Sequence, residues 1–262
     1  DRIGHFALNT ELYLCERDFR KDTHGSSVDL FYFPRKPCNE QLAKMWKRVL
    51  IILPWFLLRP LDLIIRSFSC LSSYHVPYLK GNISDINNLL DKLPSHLEFT
   101  SEEEDRGKAG LSAMGIKGNS PFICLNVRDN AYLNYLYPGA DISYHNYRDS
   151  DIQNYVLAAE TLADRGFYVI RMGQKVNAAI NSSHPNVIDY ATNGMRSDFM
   201  DIYLGSKCLF AISTSTGWDS IPEMQRRPIV YVNYAPIGWS HTFTAESLTI
   251  TKKCVLQESQ ET

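Results

Sequence analysis

The chain has 262 residues, 44% hydrophobic and 21% charged, with a formal net charge of −2. Those values describe an ordinary globular protein with enough length to bury a substantial core, and they exclude disorder and collagen-like repeats. The near-neutral balance also removes any global electrostatic case for nucleic acid, so anion binding has to come from a local site.

The sequence opens on "DRIGH", a Gly-containing turn of the kind that follows a strand. The expectation is an N-terminal unit that lacks its first strand. "HFALNTELYLCERDF" predicts a helix, with Phe6, Asn9 and Tyr13 at helical spacing, and "VDLFYFP" a short strand stopped by Pro34. The most apolar piece follows, "NEQLAKMWKRVLIILPWFLLRPLDLIIRSF". Its ten-residue run from Val49 to Leu58 contains Pro54, whereas a spanning helix needs roughly 20 apolar residues. Two readings stand. One is buried helices kinked at Pro54 and Pro60. The other is peripheral membrane contact through 44–59, where Lys44, Lys47 and Arg48 flank Trp46 and Trp55. Residues 93–121 are polar, with an acidic run from Glu102 to Asp105 that reads as a solvated face or a helix start. The domain boundary is placed here, giving an N-terminal domain at 1–110 and a C-terminal domain at 111–262.

Beyond 121 the pattern sharpens. "FICLNV" is a strand, and "DSDIQNYVLAAETLADRG" is a helix with Gly166 as its stop. Strands "FYVIRM" and "NVIDY", helix "SDFMDIYLGS", strand "CLFAIS", helix "WDSIPEM" and strand "PIVYVN" complete the series. Short continuous apolar strands alternating with helices predict a parallel, doubly wound α/β sheet covered on both faces.

In such a sheet ligands sit beyond the carboxyl ends of the strands. The candidates there are Arg128 and Asp129, Arg171 and Gly173, Arg196, and the loop Ser213, Thr214, Ser215, Thr216 and Gly217. Small residues entering a helix let a phosphate approach backbone N–H groups, and arginines add bidentate charge. The competing reading of "STSTG" is plain helix capping. In "RDSD" (148–151) the D-x-D spacing suits a divalent metal, but its place at a helix start favours capping, and no metal is assigned. The six cysteines show no paired spacing, which favours free thiols in a reducing compartment. Of the seven histidines, His5 on the "RIGH" turn suits a general base and His145 in "SYHNYRDSD" could touch a ligand.

"DRIGHFALNTELYL", "NVRDNAYL", "SYHNYRDSDIQNYVLAAETLADRGFYVIRMG", "IDYATNGMRSDFMDIYLGSKC" and "ISTSTGWDSIPEMQRRPIVYVNYAPIG" together resemble a family of bacterial glycosyltransferases of surface-polysaccharide biosynthesis, more distantly similar to heptosyltransferases and fucosyltransferases. The resemblance spans residues 1–20 and most of 121–240. It implies a GT-B architecture, with two Rossmann-like domains facing across a cleft. The C-terminal domain would bind a nucleotide diphosphate-sugar and the N-terminal domain a glycan acceptor, lipid-linked, at the cytoplasmic face of the cell membrane. "STSTG" looks like the loop that holds the donor diphosphate in heptosyltransferase-like enzymes. Arg128 looks like the arginine that fucosyltransferase-like enzymes set against the β-phosphate. His5 stands where heptosyltransferase-like chains carry a catalytic Asp, which makes Glu11 a second candidate base. Such enzymes need no bound metal or other cofactor. Two other classes remain: a non-catalytic nucleotide- or glycan-binding module, favoured by that His, and a sugar-phosphate hydrolase, for which no nucleophile motif is present.

Overall fold

The computed structural model describes residues 2–20, 28–75, 85–239 and 244–253; His24, His241 and Cys254 lie outside them. The first predicted helix forms in two parts. One turn of π-helix, His5–Asn9, runs into α1, Thr10–Arg20. The "VDLFYFP" strand shortens to β1, Leu30–Phe31, which pairs in parallel with β2, Ile51–Ile52.

Between them lies α2, Glu40–Val49, started by Asn39, whose side chain accepts from the Leu42 N–H at 2.8 Å. The same Asn39 donates to the Asp198 carbonyl at 2.9 Å, so the cap also ties this half to the other. α2 is amphipathic, and Leu42, Met45 and Trp46 are fully buried. Pro54, inside the apolar run, is the N-cap of α3, Trp55–Ser67. Pro60 falls in the second turn of α3, where it continues the helix instead of breaking it.

The short α4, Leu89–Lys92, packs Leu89 and Leu90 against Leu8, Leu12 and Cys15 of the first helix. The polar stretch expected to begin a helix does so. α5, Ser101–Ala113, opens with a complete capping box between Thr100 and Glu103, and runs across residue 110. Glu103 is buried, yet Arg48 at 2.9 Å, Gln41 at 2.8 Å and Lys44 at 3.2 Å surround it. Burial alone would raise its pKa; these donors and the Thr100 N–H outweigh burial and take it down to about 2.

The remaining chain builds a parallel sheet. Its strands are β3 (Phe122–Asn126), β4 (Tyr168–Arg171), β5 (Val187–Ile188), β6 (Ala211–Ser213), β7 (Ile229–Tyr234) and β8 (Leu248–Thr251). The order is β5-β4-β3-β6-β7-β8 with every pairing parallel. Successive side chains alternate between faces. Phe122 and Cys124 join one core with Ile170 and Ala211, while Leu125 and Val127 join the opposite core with Val169. The short α6, Ala131–Leu136, follows β3; helix α7, Val156–Asp164, covers the latter face, and α8, Asp198–Lys207, the former. Doubly wound packing is thus what the continuous apolar strands required. β8, whose residues are all exposed, was not visible as a strand in the sequence.

The halves meet along a third apolar cluster. Ala7, Leu14, Leu42, Met45 and Trp46 pack on Ile202 of α8 and on Ile221 and Met224 of α9, Ser220–Met224. Trp46 also donates its indole N–H to the Phe6 carbonyl at 3.1 Å.

Candidate functional site

The chain leaves β3 towards β4 on one side and reaches β6 on the other, so β3 and β6 flank the point where strand order reverses. Asn126 and Ser213, the last residues of those strands, are directly paired. Their loops must diverge there, and a crevice opens between them. A cleft of about 350 Å³ occupies that place. Arg2, Gly4, His5 and Asn9 line it from the N-terminal side; Arg128, Asp129, Arg148, Lys175, Ser215, Thr216 and Gly217 line it from the sheet.

The hydroxyl loop is organised by one buried carboxylate. Asp219 accepts from Ser213 Oγ at 2.7 Å, the Thr216 N–H at 2.7 Å and Thr216 Oγ1 at 3.1 Å. Asn126 Nδ2 also donates to Thr216 Oγ1. Burial pushes the Asp219 pKa up to about 6 against the pull of these donors. Thr214 Oγ1 accepts from the Arg128 N–H at 2.8 Å, which sets the direction of the β3 loop. Ser215 is left with φ +69, a left-handed backbone that costs a residue with a side chain about 1 kcal/mol or more. It is pinned by its N–H to Ser213 Oγ and by Arg148 Nη2 donating to its carbonyl at 3.2 Å. Thr216 caps the turn Gly217–Asp219. Capping and ligand presentation are therefore divided along the loop. Ser213 and Thr214 are sealed inside and brace it, whereas Ser215, Thr216 and Gly217 face the cleft.

Gly4 is where the two predicted motifs touch. A Cβ there would lie 3.0 Å from the Gly217 carbonyl oxygen and 3.2 Å from Ser220 Oγ, so "RIGH" rests directly on "STSTG". Gly173, with φ +155, has no room either, because a Cβ would meet Val176 Cγ1 at 2.5 Å. It starts the turn that brings Lys175 into the cleft.

Three arginines converge. Arg128 pairs through Nε with Asp149 at 3.0 Å, and its Nη2 is buried with no hydrogen-bond partner among the described residues. The Arg148 guanidinium is pulled down in pKa by burial and then by Arg128 beside it. His145 is held below its ordinary value by burial and then by Arg128, Arg148 and Arg2. A site that disfavours added positive charge in this way favours an anion.

The other sequence candidates lie elsewhere. Arg171 is buried under the cleft, bonded to Asp189 at 3.3 Å and the Ala178 carbonyl at 3.0 Å, and so holds the 173–180 loop from behind. Arg196 pairs with Asp201 at 2.6 Å and does not line the cleft. His145 lies tilted against the Tyr144 ring beside the arginines, outside the lining. In "RDSD", Asp151 caps the following turn through the Gln153 N–H, while Asp149 serves Arg128.

Glu11 is the clearest departure. Its carboxylate is fully buried away from the cleft, 2.6 Å from Arg226 and 3.2 Å from His96. A helix turns its residues through ~100° each, so Glu11, six positions past His5, faces another side. Glu11, Cys15 and His96 offer ligand atoms within 4.8 Å of one another. Arg226 reaches both Glu11 and, at 3.5 Å, Cys15 Sγ, and takes the space a cation would need.

Arg2 and Arg148 were not singled out from the sequence. Arg148 adjoins the D-x-D motif and Arg2 the "IGH" turn, and only their convergence with Arg128 makes them notable. The basic-aromatic stretch is also redistributed. Trp46 is buried, Lys44 and Arg48 serve Glu103, and Lys47 sits over Phe33 at 5.8 Å.

No protein-family model and no curated protein matches the chain. Solved structures do. A glycosyl transferase family 9 protein from Veillonella parvula DSM 2008 superposes with a TM-score of 0.58 at 13% identity, over 96% of this chain and 83% of that one. The ADP-heptose lps heptosyltransferase II of E. coli gives 0.51 at 13% identity, over 95% and 86%. At such identity the likeness is one of fold: the chain has the GT-B-like α/β architecture that its sequence led us to expect.

Proposed function

We propose that the protein is a glycosyltransferase that moves a sugar from a nucleotide diphosphate-sugar to a hydroxyl of a glycan acceptor. The observation that carries the reading is the arginine trio around Ser215–Gly217, with the buried, unpartnered Nη2 of Arg128 among it. Guanidinium groups bind phosphate oxygens in bidentate geometry, and a preorganised cluster of them stabilises the charge that develops as a diphosphate departs.

In this reading the acceptor oxygen attacks the anomeric carbon, the bond to the diphosphate oxygen breaks, and the electron pair leaves with the phosphate. Arg128, Arg148 and Arg2 receive that charge. His5, across the cleft, takes the acceptor proton as its imidazole. Residues 1–110 form the acceptor side and 111–262 the donor side. No metal or other cofactor has a part, since the countercharge is supplied by arginine. The acceptor is a lipid-linked glycan of surface-polysaccharide synthesis, met at the cytoplasmic face of the membrane, which the protein touches through the later part of 44–59.

Calorimetry with a panel of nucleoside diphosphates tests the donor site; absence of binding by the intact protein refutes it. One observation favours the non-catalytic alternative. Among the described residues the cleft carboxylates are Asp129 and Asp201, and both are occupied, Asp129 by the Ala131 and Asn177 N–H groups and Asp201 by Arg196 and Tyr190. Nucleotide binding without transfer or donor hydrolysis would support that alternative.

A further inference from the structure

We propose that α3 is a membrane-docking helix that lays its outer face into the headgroup–acyl boundary of an anionic bilayer. The first half of the 44–59 stretch is consumed by the protein's own packing, but α3 is not. Leu58 is its one buried residue. Phe56, Leu57, Leu61, Leu63 and Ile64 are each 50–61% exposed, and Trp55 and Phe68 at its two ends are as open.

At ~100° per residue, Leu58, Asp62 and Ile65 share the side turned to the protein. Phe56, Leu57, Leu61, Leu63 and Ile64 spread over an arc of roughly 160° on the opposite side. Seven large apolar side chains half exposed or more along one helix and its cap make a contiguous patch of the kind that marks a protein or membrane contact.

Charge selects the occupant. Arg59 and Arg66 project from one flank of the arc, between Trp55 and Leu63. The one acidic residue of the helix, Asp62, is turned inward to Arg66 at 2.8 Å, Tyr32 at 2.9 Å and His75 at 3.5 Å. Arg66 is held by that acid, so the cation left over on the exposed flank is Arg59, lying over the Trp55 ring at 5.7 Å, where a long side chain reaches up from an apolar surface to anionic headgroups. A convex apolar ridge held by a single strip suits a fluid surface that can close around both its sides. Thirteen residues make about 20 Å of helix, against a hydrocarbon core of about 30 Å, so the helix lies in the boundary plane. No helix among the described residues is long and apolar enough to cross a membrane.

This deepens the membrane part of the transferase reading, and the two fail separately, because vesicle binding and nucleotide binding are independent measurements. The test is flotation of the full chain with phosphatidylcholine vesicles, with and without phosphatidylglycerol. The wild type is expected to float with the anionic vesicles. The double variant Phe56→Ser with Ile64→Ser should bind them on the order of tenfold or more weaker, with unchanged melting and nucleotide binding, because both side chains are solvent-facing. Arg59→Gln, which leaves the Arg66–Asp62 pair intact, should weaken the preference for phosphatidylglycerol. The proposal is overturned if the wild type ignores both vesicle types. It is equally overturned if the serine variant floats like the wild type, or if the only effect of the serines is to turn a dimer into a monomer.

Discussion

Replacing Arg128 by alanine should cost the protein most of its affinity for a nucleoside diphosphate while leaving a folded chain. Its Nη2 is a buried donor with no hydrogen-bond partner among the described residues, so one charge-assisted hydrogen bond to phosphate, about 1.5–3 kcal/mol, is lost outright. The longer-range attraction is smaller than the ~4 kcal/mol expected for charges ~4 Å apart at an effective dielectric near 20. Asp149 at 3.0 Å from Nε already offsets much of the guanidinium's charge. The net loss is about 2–3 kcal/mol, or roughly 30- to 150-fold in Kd. The neighbouring acid supplies the control. Asp149→Asn removes the offsetting charge and should tighten diphosphate binding several-fold, the opposite sign at the same spot. Alanine also leaves Asp149 unpaired at 19% side-chain exposure, so melting must be recorded in parallel. Calorimetry at low salt reads both variants. Unchanged affinity in Arg128→Ala, with no tightening in Asp149→Asn, would refute the anion-site argument.

His5→Ala should spare nucleotide binding and abolish transfer; unchanged turnover in a donor-consumption assay removes it as the base. Gly4→Ala places a methyl group 3.0 Å from the Gly217 carbonyl and should push the N-terminal turn off the hydroxyl loop, raising the KM for donor with little change in melting. Gly107→Ala puts a Cβ into the Tyr203 ring, 2.1 Å from its nearest atoms, and should destabilise by about 1–3 kcal/mol in denaturant titration. Burial holds Glu223 up at about 8 against the pull of the Tyr231 hydroxyl that donates to it, with Asp219 adding to burial. An unfolded glutamate titrates near ~4.3, so this group's contribution is complete below that pH and is lost as pH rises through about 8. Asp219 and Asp201, each raised to about 6 chiefly by burial, act in the same direction. Glu223→Gln, which keeps a carbonyl for Tyr231, should therefore flatten the fall in melting temperature between pH 5 and 8; an unaltered profile contradicts the assignment.

Much of the C-terminal half could be read directly. The strands from Phe122 to Tyr234 are apolar on both faces, and a strand buried on both sides needs no partner information to be recognised. The N-terminal half could not be read so far, because its elements are defined by what they lie against. In "NEQLAKMWKRVLIILPWFLLRPLDLIIRSF" both the buried-helix and the interfacial reading were reasonable, and α2 and α3 divide them. α2 has a surface of α8 to bury Met45 and Trp46 against, and α3 has none for Phe56 and Leu57.

The site divides the same way. Residue type and position at a strand end pointed to Arg128 and the 215–217 loop, because local chain order puts a strand-end residue at the sheet's edge whatever the rest of the fold does. Arg171 and Arg196 have the same type and a similar position, and all three arginines meet an aspartate, yet Arg171 is drawn beneath the loop to Asp189 and Arg196 to Asp201 of α8, while Arg128 lines the cleft with Asp149 on its Nε alone. Glu11 is drawn to Arg226, 215 residues away. Which charged side chain faces the cleft depends on where the tertiary structure sets its counter-charge, beneath the loop for Arg171, on α8 for Arg196 and beside the cleft for Arg128, since desolvation lets a buried charge persist only beside a partner. Local periodicity thus determined the sheet and where its ligand edge lies, and only the tertiary placement of charges and their partners decided which residues stand there.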